Sequence, residues 1–244
     1  MLSKILKYNE NFKLFSNEHL LIIGLIFFLC IILPYLAKYY FSESRKLFLT
    51  RFLAVIISIT AVLWIIIRVS LGRFVMETDL PLDLCNLAAL SLTFLMWKPK
   101  YKFHEILYFL ILSGTFQAIL TPHLLEGFPN YTFMKYWIVH GGLVVFVIYI
   151  TCAYKFYPAK LSILKTFIVL QIYTLLMFPI NWLIGSNYFY IMRKPPTSSL
   201  LDYFGPWPWY IVVCEGIAVI LFVIVYLPIY FIVNKSKNAS QYQI

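Results

Sequence analysis

The sequence predicts an all-α protein, a polytopic membrane helix bundle of about seven transmembrane helices. Three observations predict it. Of 244 residues, 62% are hydrophobic and only 12% charged, far too few charged groups to cover a water-soluble domain of this size. Continuous apolar runs of about 20 residues recur, the length that crosses a hydrocarbon core. Ten-residue alternations, the mark of a membrane β-barrel, do not dominate.

Taken in order, the apolar runs predict spans at about 19–40, 47–69, 80–97, 103–121, 134–154, 161–184 and 207–233. Pro34 and Pro179 sit inside the first and sixth and predict kinks. Pro122 stops the fourth. The domain organisation is therefore an N-terminal interfacial or flexible segment (1–18), a seven-helix transmembrane domain (19–233) and a cytoplasmic tail (234–244). The N-terminal segment is mixed and charged rather than a cleavable signal. It reads either as a surface helix anchored by Ile5, Leu6, Phe12 and Phe15 or as an unstructured tail.

The formal charge of +10 is carried by Lys and Arg in the short connections. That pattern serves topology and contact with anionic lipid head groups, and no nucleic-acid partner is expected. Twelve Lys and Arg follow spans one, three and five or lie in the tail, against eight on the other side. The bias predicts the N-terminus outside and the C-terminus in the cytoplasm of a multi-pass cell-membrane protein. The four cysteines, Cys30, Cys85, Cys152 and Cys214, are scattered, without CxxC or close histidine spacing. Neither a disulfide framework nor a zinc site is indicated, and no metal or cofactor is called for.

Polar residues inside spans are costly and point to function. The stretch Leu80-Pro81-Leu82-Asp83-Leu84-Cys85-Asn86 puts an acid, a thiol and a carboxamide at the start of the third span. A cysteine near a helix N-terminus feels a partial positive charge that favours the thiolate. With the predicted topology, Cys85 lies roughly 7–8 Å and His140 about 9 Å below the outer ends of their spans. Gln117 and Asn181 fall within a turn of the outer ends of theirs. Cys30, Cys152 and Cys214 read as small core residues. Asp83 reads as a charge favouring the N-terminal end of its helix, and His123 as a solvated loop histidine. Gly141 and Gly142, next to His140, allow either a ligand or a neighbouring helix to approach closely. Arg193 and Lys194 either hold a phosphate head group or simply sit at the interface, near an aromatic belt of Trp207, Trp209 and Tyr210.

Several segments carry a resemblance. They are Leu80–Asn86, Gln117-Ala118-Ile119-Leu120-Thr121-Pro122, Phe128-Pro129 with the His140-Gly141-Gly142 span, Asn181 through Tyr188, Arg193-Lys194-Pro195, and the block from Leu200 to Tyr210. Together they make the chain resemble the YwaF-like family of bacterial integral membrane proteins over about residues 20 to 233. That family is similar to the vertebrate transmembrane protein 164 family, cysteine-dependent acyltransferases acting on ether phospholipids. It also looks like the androgen-induced membrane hydrolases, which use a threonine and a histidine. The resemblance implies Cys85 as nucleophile and His140 as base, and leaves the acyl chain and its acceptor open.

A cysteine–histidine pair suffices for acyl transfer or hydrolysis of a lipid ester through a thioester. Asn86, Gln117 or Asn181 would donate hydrogen bonds to the oxyanion. The expected partner is a membrane phospholipid or other acyl lipid. The alternative is a transporter or sensor binding a small polar ligand in the same outer-leaflet polar layer. An enzyme would lose nearly all activity in Cys85→Ser, a binding site far less.

Overall fold

The structure is a computed structural model, and it describes residue 6 and residues 11–195 and 200–241. Among the described residues there are helices and no strands. Six helices are long and apolar enough to cross a membrane, and a seventh apolar helix is shorter. In chain order the elements are α1 (Asn17–Tyr39), α2 (Glu43–Ser70), the single turn α3 (Met76–Asp79), α4 (Leu84–Leu95) and α5 (Tyr101–Leu110). A π-helical segment (Ile111–Thr115), α6 (Phe116–Leu120), α7 (Tyr131–Ala153), α8 (Lys160–Ile184), two 3₁₀ turns (Tyr188–Tyr190 and Leu200–Phe204) and α9 (Trp209–Gln241) follow.

Local chemistry sets most boundaries. Ser16, Ser42 and Asn130 cap α1, α2 and α7, each side chain accepting a first-turn N–H. Gly185 ends α8 with a left-handed φ of 69°, which glycine adopts without a Cβ penalty. Pro34 and Pro179 lie inside α1 and α8, as expected.

The third predicted span is the one that differs. The apolar run starts at Leu80, but the helix starts at Leu84 and is 12 residues long, about 18 Å, short of a 30 Å hydrocarbon core. The cause is Pro81. A proline disfavours helical geometry in the residue before it, and Leu80 is extended at φ −63°, ψ 139°. Cys85 is therefore the second residue of its helix, not one buried a full turn inside it.

The chain forms two compact units, one of residues 1–74 and 84–156, the other of 75–83 and 157–244. In the first, α7 is the central helix, with Val139, Leu143, Phe146, Val147, Tyr149 and Ile150 wholly buried. It runs parallel to α1, where His19 meets Trp137 and Ile26 meets Gly141. It runs antiparallel to α2, since Tyr131 bonds the Thr60 carbonyl and Tyr149 that of Lys46. Antiparallel pairing with the α5–α6 rod follows from Tyr136 bonding the Ala118 carbonyl while His104 bonds Thr151 at the far end. The α4 segment runs antiparallel to α2: Ser58 bonds the Ala89 carbonyl and Arg51 that of Trp97. The passes of this unit thus alternate in direction, α4 included, although its helical part is short. Phe12 packs on Phe133 and Trp137, which ties residues 11–16 to this unit; Ile5 lies outside the described residues.

The two adjacent glycines serve packing on two sides. A Cβ on Gly141 would lie 2.6 Å from Ile26 Cδ1 of α1, and one on Gly142 2.9 Å from Ile57 Cγ1 of α2. Gly141→Leu is therefore expected to cost about 1–3 kcal/mol or more by overpacking and to lower the melting temperature in detergent. Gly24→Ala, with open space around it, is the control expected to change little. Equal melting of wild type and Gly141→Leu would refute the packing role.

The second unit is held by its loops. Asn181, near the end of α8, gives Nδ2–H to the Tyr188 carbonyl and accepts at Oδ1 from Ser186 Oγ and Tyr188 N–H. Tyr188 accepts from Leu80 N–H and donates to the Met76 carbonyl, and Tyr173 donates to that of Leu82. Burial, then the neighbouring charges of Asp83, Asp79 and Glu77, push the Tyr188 phenol up to about 12 against the opposing bond from Leu80. The phenol keeps its proton and can make both bonds. Trp207 Nε1 donates to Ile191 and Tyr210 to Tyr190, fixing the start of α9.

Candidate active site

Two elements of the first unit meet at Cys85, the N-terminal turn of α4 and the end of the π-helical segment, and the first half of α7 carries His140. Ser58 meets Ala89, one turn beyond Cys85, so Cys85 lies opposite about the eighth residue before the end of α2. That is about 12 Å along the helix, and His140, nine residues into α7, is about 13 Å from its start.

Cys85 Sγ is 3.2 Å from Oγ1 of Thr115, which is wholly buried. Thr115 closes the π-helical segment, whose wider turn re-aims side chains and recurs at functional sites. Tyr136, one turn before His140, donates its hydroxyl to the Ala118 carbonyl at 2.8 Å. Its ring stacks on the imidazole with centroids 4.1 Å apart and planes 25° apart. His140 Nδ1 is 2.9 Å from the Tyr136 carbonyl. A carbonyl only accepts, so Nδ1 carries the proton and the neutral ring holds its lone pair on Nε2. The imidazole is thus fixed in orientation and in the tautomer of a base.

The other sequence candidates separate. Asn86 is half-buried in the first turn of α4, next to Cys85. Gln117 on α6 is exposed. Asn181 belongs to the second unit, where its amide closes the α8 loop at both ends; its polarity is explained by that turn. Asp83 is exposed just before α4, and its charge is felt by Tyr188 and Tyr190. Arg193 is exposed, and its backbone is held by Asn187. Lys194 stands over the Tyr210 ring, 5.7 Å from its centroid. Among the described residues no cluster of three metal-ligating side chains occurs.

Thr115 and Tyr136 were not singled out by sequence. Tyr136 sits four residues before His140, on the same helix face. Ser113-Gly114-Thr115 is a run of weak helix formers within an apolar span, the one local signal of the π-helical turn.

A partly buried thiol at a helix start and an oriented imidazole, inside a polytopic helical bundle, define a membrane protein with a candidate nucleophile–base pair. Residues 14–226 match the TMEM164 family, and the chain belongs to that family. No curated protein and no solved structure matches the chain.

Proposed function

We propose that this protein is a membrane-embedded acyltransferase or lipid hydrolase working through a thioester on Cys85 with His140 as general base. The observation that carries the reading is Cys85 at the N-terminal turn of α4, bonded to Thr115, in the same unit as an imidazole that stacks on Tyr136 with its lone pair on Nε2. In the first half-reaction His140 takes the thiol proton and Sγ attacks an ester carbonyl. The carbon–oxygen bond breaks, and the released alkoxide receives the proton from His140. In the second, a lipid hydroxyl or water attacks the thioester, its proton passes to His140, and the thiolate leaves and is reprotonated. Two groups favour charge at this place. Thr115 can donate to the thiolate, and the N-terminal turn of α4, with Asn86 in it, carries a partial positive charge that favours a developing oxyanion. Gln117, exposed, and Asn181, engaged in its own loop, have weaker claims on the oxyanion role. The substrate class is a phospholipid or other acyl lipid.

The reading predicts an order of reactivity that exposure would not. Cys152 is exposed, whereas Cys85 is only partly so. A long-chain acyl chloromethyl ketone should nevertheless alkylate Cys85 ahead of Cys30, Cys152 and Cys214, as read by peptide mass spectrometry. Labelling of Cys152 first, with Cys85 untouched, would count against an activated nucleophile.

We also place the N-terminus outside and the C-terminus in the cytoplasm, on the split of twelve Lys and Arg against eight. A single cysteine at position 193, in a chain without the native four, should react with an impermeant maleimide in intact cells, and one at position 100 should not. The opposite pattern would invert the topology.

A further inference from the structure

The second unit contains a cavity of about 240 Å³ that the chemistry above does not use. Its lining is almost wholly apolar and includes Leu170, Phe189, Tyr190, Tyr210 and Ala218. One lining residue is charged: Glu215. Glu215 lies six residues past the start of α9, about 9 Å along the helix and below an exposed Trp209 at the interfacial end. A carboxylate at that depth is costly and calls for a partner of opposite charge. No ion pair of Glu215 occurs among the described residues, and the nearby Lys194 is engaged with the Tyr210 ring and the Asp202 carbonyl.

An acid flanked by aromatic faces in an apolar pocket is the chemistry that recognises an ammonium group on an apolar body. The carboxylate supplies the counter-charge, the rings supply cation–π attraction, and the walls take the hydrocarbon. A free fatty acid would meet like charge, and a neutral alcohol would leave the carboxylate unpaired. We propose that this cavity is a binding site for an amphiphilic amine, its ammonium group against Glu215 and its hydrocarbon against Leu170, Phe189 and Ala218. The site lies on α8, α9 and the loop between them and does not depend on Cys85 chemistry.

The test is equilibrium binding of tritiated decylamine to the full chain in nanodiscs of phosphatidylcholine. Wild type should show saturable binding that decyl alcohol and decanoate fail to displace. Glu215→Gln, nearly the same size, should weaken it about tenfold or more, the loss of one charge-assisted contact. Ala218→Phe, which fills the cavity but keeps the acid, should weaken it as well, while Cys85→Ala should bind as wild type. Non-saturable partitioning alone, unchanged binding in a folded Glu215→Gln, or equal displacement by decyl alcohol would each overturn the proposal.

Discussion

Replacing Cys85 by alanine is expected to abolish lipid acyl transfer, a loss on the order of 10⁴-fold or more if the thiol is the nucleophile. The fold should survive. Cys85 is only partly buried, its side chain is small, and it meets Thr115 at the first turn of α4. The measurement is a comparison of lipid species in cells carrying wild type or Cys85→Ala at matched protein levels, with the melting temperature as the control for folding. Cys85→Ser should sit close to alanine, because a hydroxyl is much less nucleophilic at neutral pH than a thiol. Full lipid remodelling by Cys85→Ala would move a ligand-binding role, as transporter or sensor, ahead of the enzyme.

The second large effect is expected at His140. Removing a general base costs typically 10²–10⁴-fold, and His140→Ala should fall in that range. The loss should lie mainly in kcat, since the imidazole moves a proton instead of holding the lipid. His140→Gln is the informative companion. It keeps a hydrogen-bonding side chain of similar length at the Tyr136 carbonyl, so its fold should resemble wild type while its activity stays low. If His140→Gln kept near-normal turnover, the imidazole would be a packing partner of Tyr136 and no base.

The bundle was legible because its physics is one-dimensional. A run of apolar residues as long as the membrane is thick reads directly from sequence, and α1, α2, α7 and α8 begin within a few residues of where those runs predict. Serine and asparagine caps sharpen the ends. The start of α4 was not legible in the same way. Leu80 and Leu82 continue the apolar run, while Pro81 opposes helical geometry at Leu80, and hydropathy cannot rank the two. The π-helical turn was hidden for a similar reason: its apolar flanks look like any span, and its cause is the weak helix-forming run at 113–115.

The site was legible in part. Thiol and imidazole stand out because such groups are rare in hydrocarbon, and helix rise alone matched their depths. Depth says nothing about rotation or about which neighbours compete for a polar group. Helix rise predicts a suitable depth for Gln117 and Asn181, yet one is exposed and the other is consumed by Ser186 and Tyr188, partners within seven residues of it in the chain. Thr115 and Tyr136 reach the site only through packing of α7 against the α5–α6 rod, a tertiary contact with no local signature beyond the i, i+4 step from Tyr136 to His140.

The most direct test of the central reading is to trap an acyl chain on the protein. Purified protein in nanodiscs is incubated with phospholipid labelled in its acyl chain, quenched in acid and digested. The account predicts label on the peptide carrying Cys85, released by neutral hydroxylamine as a thioester must be. It also predicts slower formation of that label in His140→Gln and none in Cys85→Ala. Acyl label on any other residue, or lipid turnover by the same wild-type sample with no hydroxylamine-labile label at Cys85 when acceptor is withheld, would contradict a Cys85 thioester.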